Sequence, residues 1–396
     1  MDTNFSRLDM LPPYVFAEVN ALKLKLRQEG RDVIDFGMGN PDQDPPQHVT
    51  DKLIETASRG GVSRYSASQG IKGLRKAKAR YYQRRYNVDL DPDSDIIVSL
   101  GSKEGFANLA MAITSPGDVF VIPNPTYPIH PYGFLIAGGS IRHIQCFTNG
   151  RFDPEHYMRT LHDIVHNSLP KPKAIVVNFP SNPTAQMCDL DFYTELVAFA
   201  KKNEIWLISD LAYSEVYYTD AKPRSILEVP GAKDVAIEFT SLSKTYSMAG
   251  WRIGFAVGNP TLVAALKKIK SYLDYGAFTP VQVAAVAALD SEEHHIETMR
   301  NTYIKRRATL VSALSNAGWD IEPPSSTMFA WSKIPDKFHN MGSFEFAKML
   351  LNEAAVAVAP GAGFGQYGEG YVRIGLVEND ARIRQAAKQI KRAIDL

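Results

Sequence analysis

The chain has 396 residues, 45% of them hydrophobic and 22% charged, which is enough apolar material for a sizeable core in more than one compact unit of about 100–200 residues. Disordered and fibrous classes are excluded, and two domains are expected. Lys and Arg number 44 against 43 Asp and Glu, a formal charge of +1, so no global field draws in nucleic acid or an anionic membrane, and a small-molecule partner fits better.

The two cysteines, Cys146 and Cys188, are too few for a disulfide framework and lie in no metal-ligand spacing, so both read as reduced core thiols. The first residues lack the apolar core of a signal peptide, and no apolar run reaches the 18 or so residues of a membrane span. A cytoplasmic protein is expected.

In chain order, residues 15–28 carry apolar side chains at helical spacing and end at Gly30, and a short strand follows over 33–36. Gly37-Met-Gly-Asn-Pro-Asp reads as a loop. From about Gln47 helices alternate with short runs rich in Val and Ile, the pattern of a mainly parallel sheet covered by helices. Strands are expected at 96–100, 119–122, 174–178, 205–209, 235–239 and 253–257. The stretch 281–317 is helical with a bend or break. The tail places short strands at 328–333, 356–359 and 371–375 and a closing amphipathic helix at 380–394. The expected division is a large α/β domain over 46–280 and a smaller α/β domain over 281–396, joined by the N-terminal segment 1–45. The basic helix 72–85, with Arg75, Lys76, Lys78, Arg80 and Arg84, reads as a solvated face rather than a polyanion site in a chain this neutral.

In open α/β sheets ligands bind beyond the carboxyl ends of the strands, so the strand-end loops are where chemistry is sought. Three of them carry Asn182-Pro-Thr-Ala, Asp210-Leu-Ala-Tyr213 and Ser241-Leu-Ser-Lys244. Each alone is ambiguous: the aspartate could cap a helix and the lysine could lie on the surface. Together their spacing is ordered, with 28 residues from Asn182 to Asp210, 3 to Tyr213, 34 from Asp210 to Lys244 and 8 from Lys244 to Arg252. This set resembles that of the fold-type I aminotransferases dependent on pyridoxal 5'-phosphate (PLP), the aspartate-aminotransferase superfamily. The resemblance runs from Gly39-Asn-Pro-Asp to Val372-Arg-Ile-Gly, and its most specific part is Ser241-Leu-Ser-Lys244 followed by Gly250-Trp-Arg252-Ile-Gly.

The resemblance implies the roles. Lys244 holds PLP as a Schiff base and, once displaced, shuttles the proton between the substrate Cα and the cofactor C4'. Asp210 keeps the pyridine nitrogen protonated, with His130 bonded to it from behind. Tyr213 and Asn182 hydrogen-bond the phenolic oxygen, and Tyr127 stacks on the ring. The phosphate is held by Gly101, Ser102 and Lys103 at a helix start, by Ser241 and Ser243, and by Arg252, whose planar fork suits a dianion. Tyr65 reaches the phosphate of a neighbouring subunit, which implies a homodimer with shared active sites. Arg373 binds the substrate α-carboxylate, with Gly39 and Asn182 beside it, and Tyr14 folds over the pocket or simply packs.

The common family tetrapeptide is Asn-Pro-Thr-Gly, whereas this chain has Ala185 in the last place, so a turn without positive φ is expected. Leu11-Pro-Pro-Tyr-Val-Phe, Asn182-Pro-Thr-Ala-Gln and Lys270-Ser-Tyr-Leu-Asp-Tyr-Gly resemble the bacterial alanine transaminase branch, with LL-diaminopimelate aminotransferase as a relative. The expected reaction is L-alanine with 2-oxoglutarate giving pyruvate and L-glutamate. Aspartate or aromatic transamination and a C–S lyase are alternatives on the same scaffold. A PLP-binding regulator fused to a DNA-binding helix-turn-helix is disfavoured because the Gly39 loop begins so near the start.

Overall fold

The computed structural model of the chain describes residues 5–12, 15–148 and 150–395, so the expectation for Tyr14 lies outside the described residues. Its centre is a seven-stranded sheet of β1 (Ile96–Ser99), β2 (Val119–Asn124), β3 (Ser140–Gln145), β4 (Ala174–Asn178), β5 (Trp206–Asp210), β6 (Ala236–Ser241) and β7 (Gly254–Gly258), in the order β1-β7-β6-β5-β4-β2-β3. Strand β7 runs antiparallel to both neighbours, and the other pairings are parallel. The inner strands are buried on both faces, which is why they read as continuous apolar runs. Ile97, Phe120, Val176, Ile208, Ile237 and Ala256 join one core cluster, while Ile96, Val121, Ile175, Val177, Leu207 and Val257 join another, the period-two alternation of a sheet with a core on each side.

Register assembles one edge of this sheet. Asn178 pairs with Asp210 and Asp210 with Phe239, so β4 and β5 end level and β6 runs two residues further, to Ser241. Gly254, the first residue of β7, stands opposite both Ser99 and Ser241. The residues just before β7 therefore reach the edge where β1 and β6 end. Gly254 has no alternative, because a Cβ there would overlap the backbone of Gly101 and Ser102.

A second, antiparallel sheet is built from β8 (Phe329–Lys333), β9 (Ala359–Pro360) and β10 (Tyr371–Gly375), with β10 in the middle. Ile34–Asp35 pairs in parallel with Val356–Ala357, which ties the segment after helix α1 (Val15–Gln28) to the C-terminal part of the chain. Helix α2 (Lys72–Tyr86), α3 (Ser102–Ile113) and α4 (Pro260–Leu273) pack on the large sheet. Among the described residues no helix is long and apolar enough to cross a membrane, and no cluster of His, Cys, Asp or Glu is arranged to hold a metal ion.

The expected break in 281–317 falls between the helices Thr279–Leu289 and Glu293–Ser315, whereas other expectations change. Strand β3 was not expected: it is an edge strand, Ser-Ile-Arg-His-Ile-Gln, mostly exposed, and so lacks the apolar signature of its neighbours. Helix α2 is not simply a solvated basic face. Lys76, Arg80 and Arg84 are exposed, but Arg75 is buried against Pro92 and Asp93, and Lys78 is buried over the rings of Tyr81, Tyr82 and Phe255. Burial pushes the Lys78 ammonium down to about 7 against the opposing pull of Glu238 and Glu215. Cys146 and Cys188 are both free, the first buried and the second partly so.

The Asn182-Pro-Thr-Ala185 turn also corrects its expectation, because Ala185 has φ +57°, the left-handed conformation that favours glycine. The turn is held regardless: the Ala185 N–H donates to the Ser181 carbonyl, and its own carbonyl accepts from the hydroxyls of Ser325 (2.8 Å) and Ser326 (2.7 Å). Left-handed alanine costs roughly 1–2 kcal/mol, and glycine loses about 0.4–1 kcal/mol through a freer unfolded chain. Ala185→Gly is expected to raise unfolding stability in urea by about 0.5–1 kcal/mol. A clear loss of stability would show that the two serines impose no strain here.

Candidate active site

Strand β5 ends on Asp210, which is buried and hydrogen-bonded on one side only. Its Oδ2 lies 2.9 Å from Nε2 of the fully buried His130, whose Nδ1 lies 2.6 Å from the Thr126 hydroxyl. A carboxylate accepts and does not donate, so the imidazole proton belongs on Nε2 and the threonine hydroxyl donates to Nδ1. Behind the strand end, Asn178 donates to the Asp210 carbonyl at 2.8 Å and accepts the Asn182 N–H at 2.9 Å. The remaining carboxylate oxygen, Asp210 Oδ1, is buried with no hydrogen-bond partner among the described residues. Leaving such an acceptor unmet costs about 1–3 kcal/mol. The site therefore calls for a donor from the cavity in front of it.

That cavity has a volume of about 630 Å³, and its wall includes Asp210, Asn182, Tyr213, Tyr127, Lys244 and Arg373. Lys244 stands in the short helical turn Leu242–Thr245 that follows β6, where the Ser241 hydroxyl caps the turn by accepting the Ser243 N–H at 3.1 Å. The lysine Nζ donates to the Gly39 carbonyl at 2.7 Å. Burial first, and then the positive charges of Arg373 and Arg252, hold its ammonium down at about 8. An amine so placed is a nucleophile near neutral pH.

At the end of β1 the chain turns through Gly101, φ +87°, into α3, and no side chain caps that helix. Ser102 and Lys103 of its first turn line the cavity with Ser241, Ser243 and Arg252. Arg252 arrives with φ +58° and donates to the carbonyls of Ala249 (2.8 Å) and Leu100 (3.1 Å). A Cβ at Gly101 would overlap the Arg252 guanidinium, so only glycine lets the two approach. A helix start without a side-chain cap, three hydroxyls and two cations suit a dianion.

Arg373 also lines the cavity; it comes from β10 and is buried. It donates to Asn182 Oδ1 at 2.8 Å and to the Gly37 carbonyl at 3.0 Å, and its guanidinium carbon lies 4.0 Å from the Phe329 ring centre and 4.8 Å from that of Phe364. A Cβ at Gly39 would overlap the Phe329 ring, so that loop also depends on a glycine. Tyr213 packs edge-on against Phe329 at 5.7 Å, and burial pushes its phenol well up, which keeps it a neutral donor.

The fold thus brings Gly39, Ser102, Lys103, Tyr127, Asn182, Asp210, Tyr213, Ser241, Ser243, Lys244, Arg252 and Arg373 to one cavity, with His130 and Gly101 immediately behind its wall. Tyr65 is not there. It is 84% exposed and stacks on Tyr275 at 4.4 Å, away from the pocket of its own chain. Sequence reasoning assigned no role to Thr126, Asn178 or Phe329. Only Asn178 carried a signal, as the polar last residue of an apolar strand at the edge where the site forms.

One pH dependence follows. In cofactor-free protein, condensation of Lys244 with a small aldehyde, trapped by reduction and followed by peptide mass spectrometry, is expected to rise with pH. Only the neutral amine reacts, so half the maximal rate falls near pH 8. Arg373→Gln moves that midpoint upward by removing a repelling charge. A wild-type midpoint at the ordinary 10.5 would refute the electrostatic account.

The family model of the class I and II aminotransferases matches residues 31–390. The chain is 56% identical to the putative aminotransferase AatC of Rhizobium meliloti, over 98% of this chain and 95% of that protein. It is 50% identical to the glutamate-pyruvate aminotransferase AlaC of Escherichia coli, over 98% and 93% of the two chains, and 41% identical to the LL-diaminopimelate aminotransferase of Natranaerobius thermophilus, over 97% of each. The apo-BacF structure from Bacillus subtilis superposes with a TM-score of 0.93 at 33% identity, covering 100% of this chain and 99% of that one. The cavity suits the cofactor of such enzymes: an unmet carboxylate oxygen for a ring N–H, an amine for its aldehyde and a cup for its phosphate. The chain belongs to the class I and II aminotransferases, fold-type I enzymes that transfer amino groups with pyridoxal 5'-phosphate.

Proposed function

We propose that the chain is a glutamate–pyruvate transaminase, exchanging L-alanine and 2-oxoglutarate for pyruvate and L-glutamate in two half-reactions. The observation that carries this reading is the 50% identity with AlaC along almost the whole of both chains. LL-diaminopimelate is the second reading, on the strength of the 41% identical relative. The large sheet with residues 46–280 forms the cofactor domain in this reading, and 281–396 with the segment 1–45 forms the smaller one. The active unit is a cytoplasmic homodimer in which Tyr65, exposed beside Tyr275, enters the neighbouring site.

Bound PLP supplies the electron sink that makes the substrate's α-proton acidic. The protein's own residues do the rest. Gly101, Ser102, Lys103, Ser241, Ser243 and Arg252 would hold its phosphate and Tyr127 would stack on its ring. Asp210, oriented by His130, would accept the pyridine N–H and favour the charged ring. Tyr213 donates to the phenolic oxygen, as does the Asn182 amide, whose carbonyl oxygen is already taken by Arg373. Arg373 receives the α-carboxylate, with Gly39 beside it, and so fixes Cα within reach of Lys244. The lysine amine, depressed toward neutrality, takes the α-proton and returns it at C4'.

Arg373→Ala is expected to raise KM for amino acids about 100-fold, the effect of losing charged hydrogen bonds together worth about 2–3 kcal/mol, while the Kd for PLP changes far less. An unchanged KM removes Arg373 from the substrate site. In a panel of amino donors, alanine with 2-oxoglutarate is expected to give pyruvate without ammonia, and Lys244→Ala to give none. Keto acid from aspartate or LL-diaminopimelate but not from alanine would overturn the substrate assignment, and ammonia release would indicate lyase chemistry.

A further inference from the structure

Lys270 lies on α4, with no exposed surface, and takes no direct part in the cavity. Its ammonium is 3.0 Å from Glu104 Oε1 and 2.7 Å from Asp274 Oδ2. Glu104 sits in the first turn of α3, and its other oxygen accepts the N–H of Leu100 at 2.9 Å. The carbonyl of that same Leu100 accepts from Arg252 at 3.1 Å. Leu100, which leads into the phosphate turn, is thus held on both sides, by Glu104 on its N–H and by Arg252 on its C=O. The carbonyl of Gly101 is occupied as well, by the Ser99 hydroxyl at 3.0 Å and the Gly105 N–H at 3.2 Å.

This clamp poses an electrostatic problem. A carboxylate in the first turn of a helix competes with any other anion for the same positive end. Glu104 shapes the turn and at the same time repels a dianion bound there. A fully buried lysine is strongly desolvated and is retained only where carboxylates hold it. Here one of its two carboxylates is the one that threatens the anion.

We propose that Lys270 is a positioning residue for the cofactor phosphate: it neutralises Glu104 from behind, so that Glu104 can hold the Gly101–Lys103 turn open without repelling the phosphate. The inference rests on the reading that the phosphate sits at that turn. Lys270 acts through Glu104 and touches neither cofactor nor substrate.

The test compares the Kd values of pyridoxal 5'-phosphate and of pyridoxal, which lacks the phosphate, for cofactor-free protein, read by absorbance. Lys270→Met is expected to weaken PLP binding at least about tenfold, the scale of one unscreened, partly buried charge interaction, while pyridoxal changes less than about twofold. Adding Glu104→Gln to Lys270→Met restores PLP affinity, because the amide keeps an acceptor for Leu100 without the charge. Glu104→Gln alone leaves PLP binding as tight as wild type or tighter, and it keeps the test decisive if the lysine variant does not fold. Equal losses for PLP and pyridoxal, no rescue in the double variant, or weaker PLP binding in Glu104→Gln would each overturn the proposal. Arg252→Gln separates the two levels. If it leaves the PLP-to-pyridoxal ratio unchanged, the phosphate is elsewhere and both readings fall. If the ratio collapses in Arg252→Gln but holds in Lys270→Met, the cup stands and Lys270 has no part in it.

Discussion

The site is organised around a buried carboxylate that is satisfied on one side only. Asp210, on the cavity wall, receives His130 on Oδ2 and leaves its buried Oδ1 without a partner among the described residues. An unmet buried acceptor destabilises the protein by itself, and it persists only because the neighbouring structure over-determines its position. Thr126 fixes the histidine, Asn178 fixes the Asp210 carbonyl, and the parallel register of β4 and β5 fixes Asn178. The same Asn178 then holds the Asn182 amide, and Asn182 holds Arg373. The backbone of Asp210 and the guanidinium of Arg373 are therefore linked through Asn178 and Asn182.

Much of this was legible in the sequence because the chemistry demands rare residue types at strand ends. Lys244, Asp210 and Asn182 fall at or just beyond the ends of apolar runs and Arg252 just before one, and their order left few alternatives. The strands were legible for the same reason, being buried on both faces. Strand β3 was not, since an exposed edge needs no apolar pattern. Thr126 and Asn178 were not, because their roles come from which strand lies beside which, a property of register that spacing along the chain does not carry. Lys78 was misread with its helix because five basic residues look alike until the fold turns two of them inward.

Ala185 shows the converse. The missing glycine of the Asn182 turn was read as freedom from a left-handed backbone, yet the turn kept its conformation and the alanine was forced into it. The hydroxyls of Ser325 and Ser326, 140 and 141 residues away, supply the restraint. A local departure from a motif was met by a distant compensation, which no local reading anticipates.

The loop from Asp35 to Gly39 has a consequence for affinity. Its carbonyls at Gly37 and Gly39 occupy Arg373 and Lys244, while its start is anchored by the Lys23–Asp35 ion pair at 2.7 Å and by the Asp35 carboxylate on the Gly37 N–H at 3.0 Å. If a ligand engages Arg373 and Lys244 as proposed, the loop is an internal competitor for both cations. Its stiffness would then set a common discount on every carboxylate that enters, whatever side chain follows. Changes in α1 that loosen the anchor would rescale all substrates together and leave their ranking intact, so selectivity and overall affinity are adjustable from separate parts of the chain.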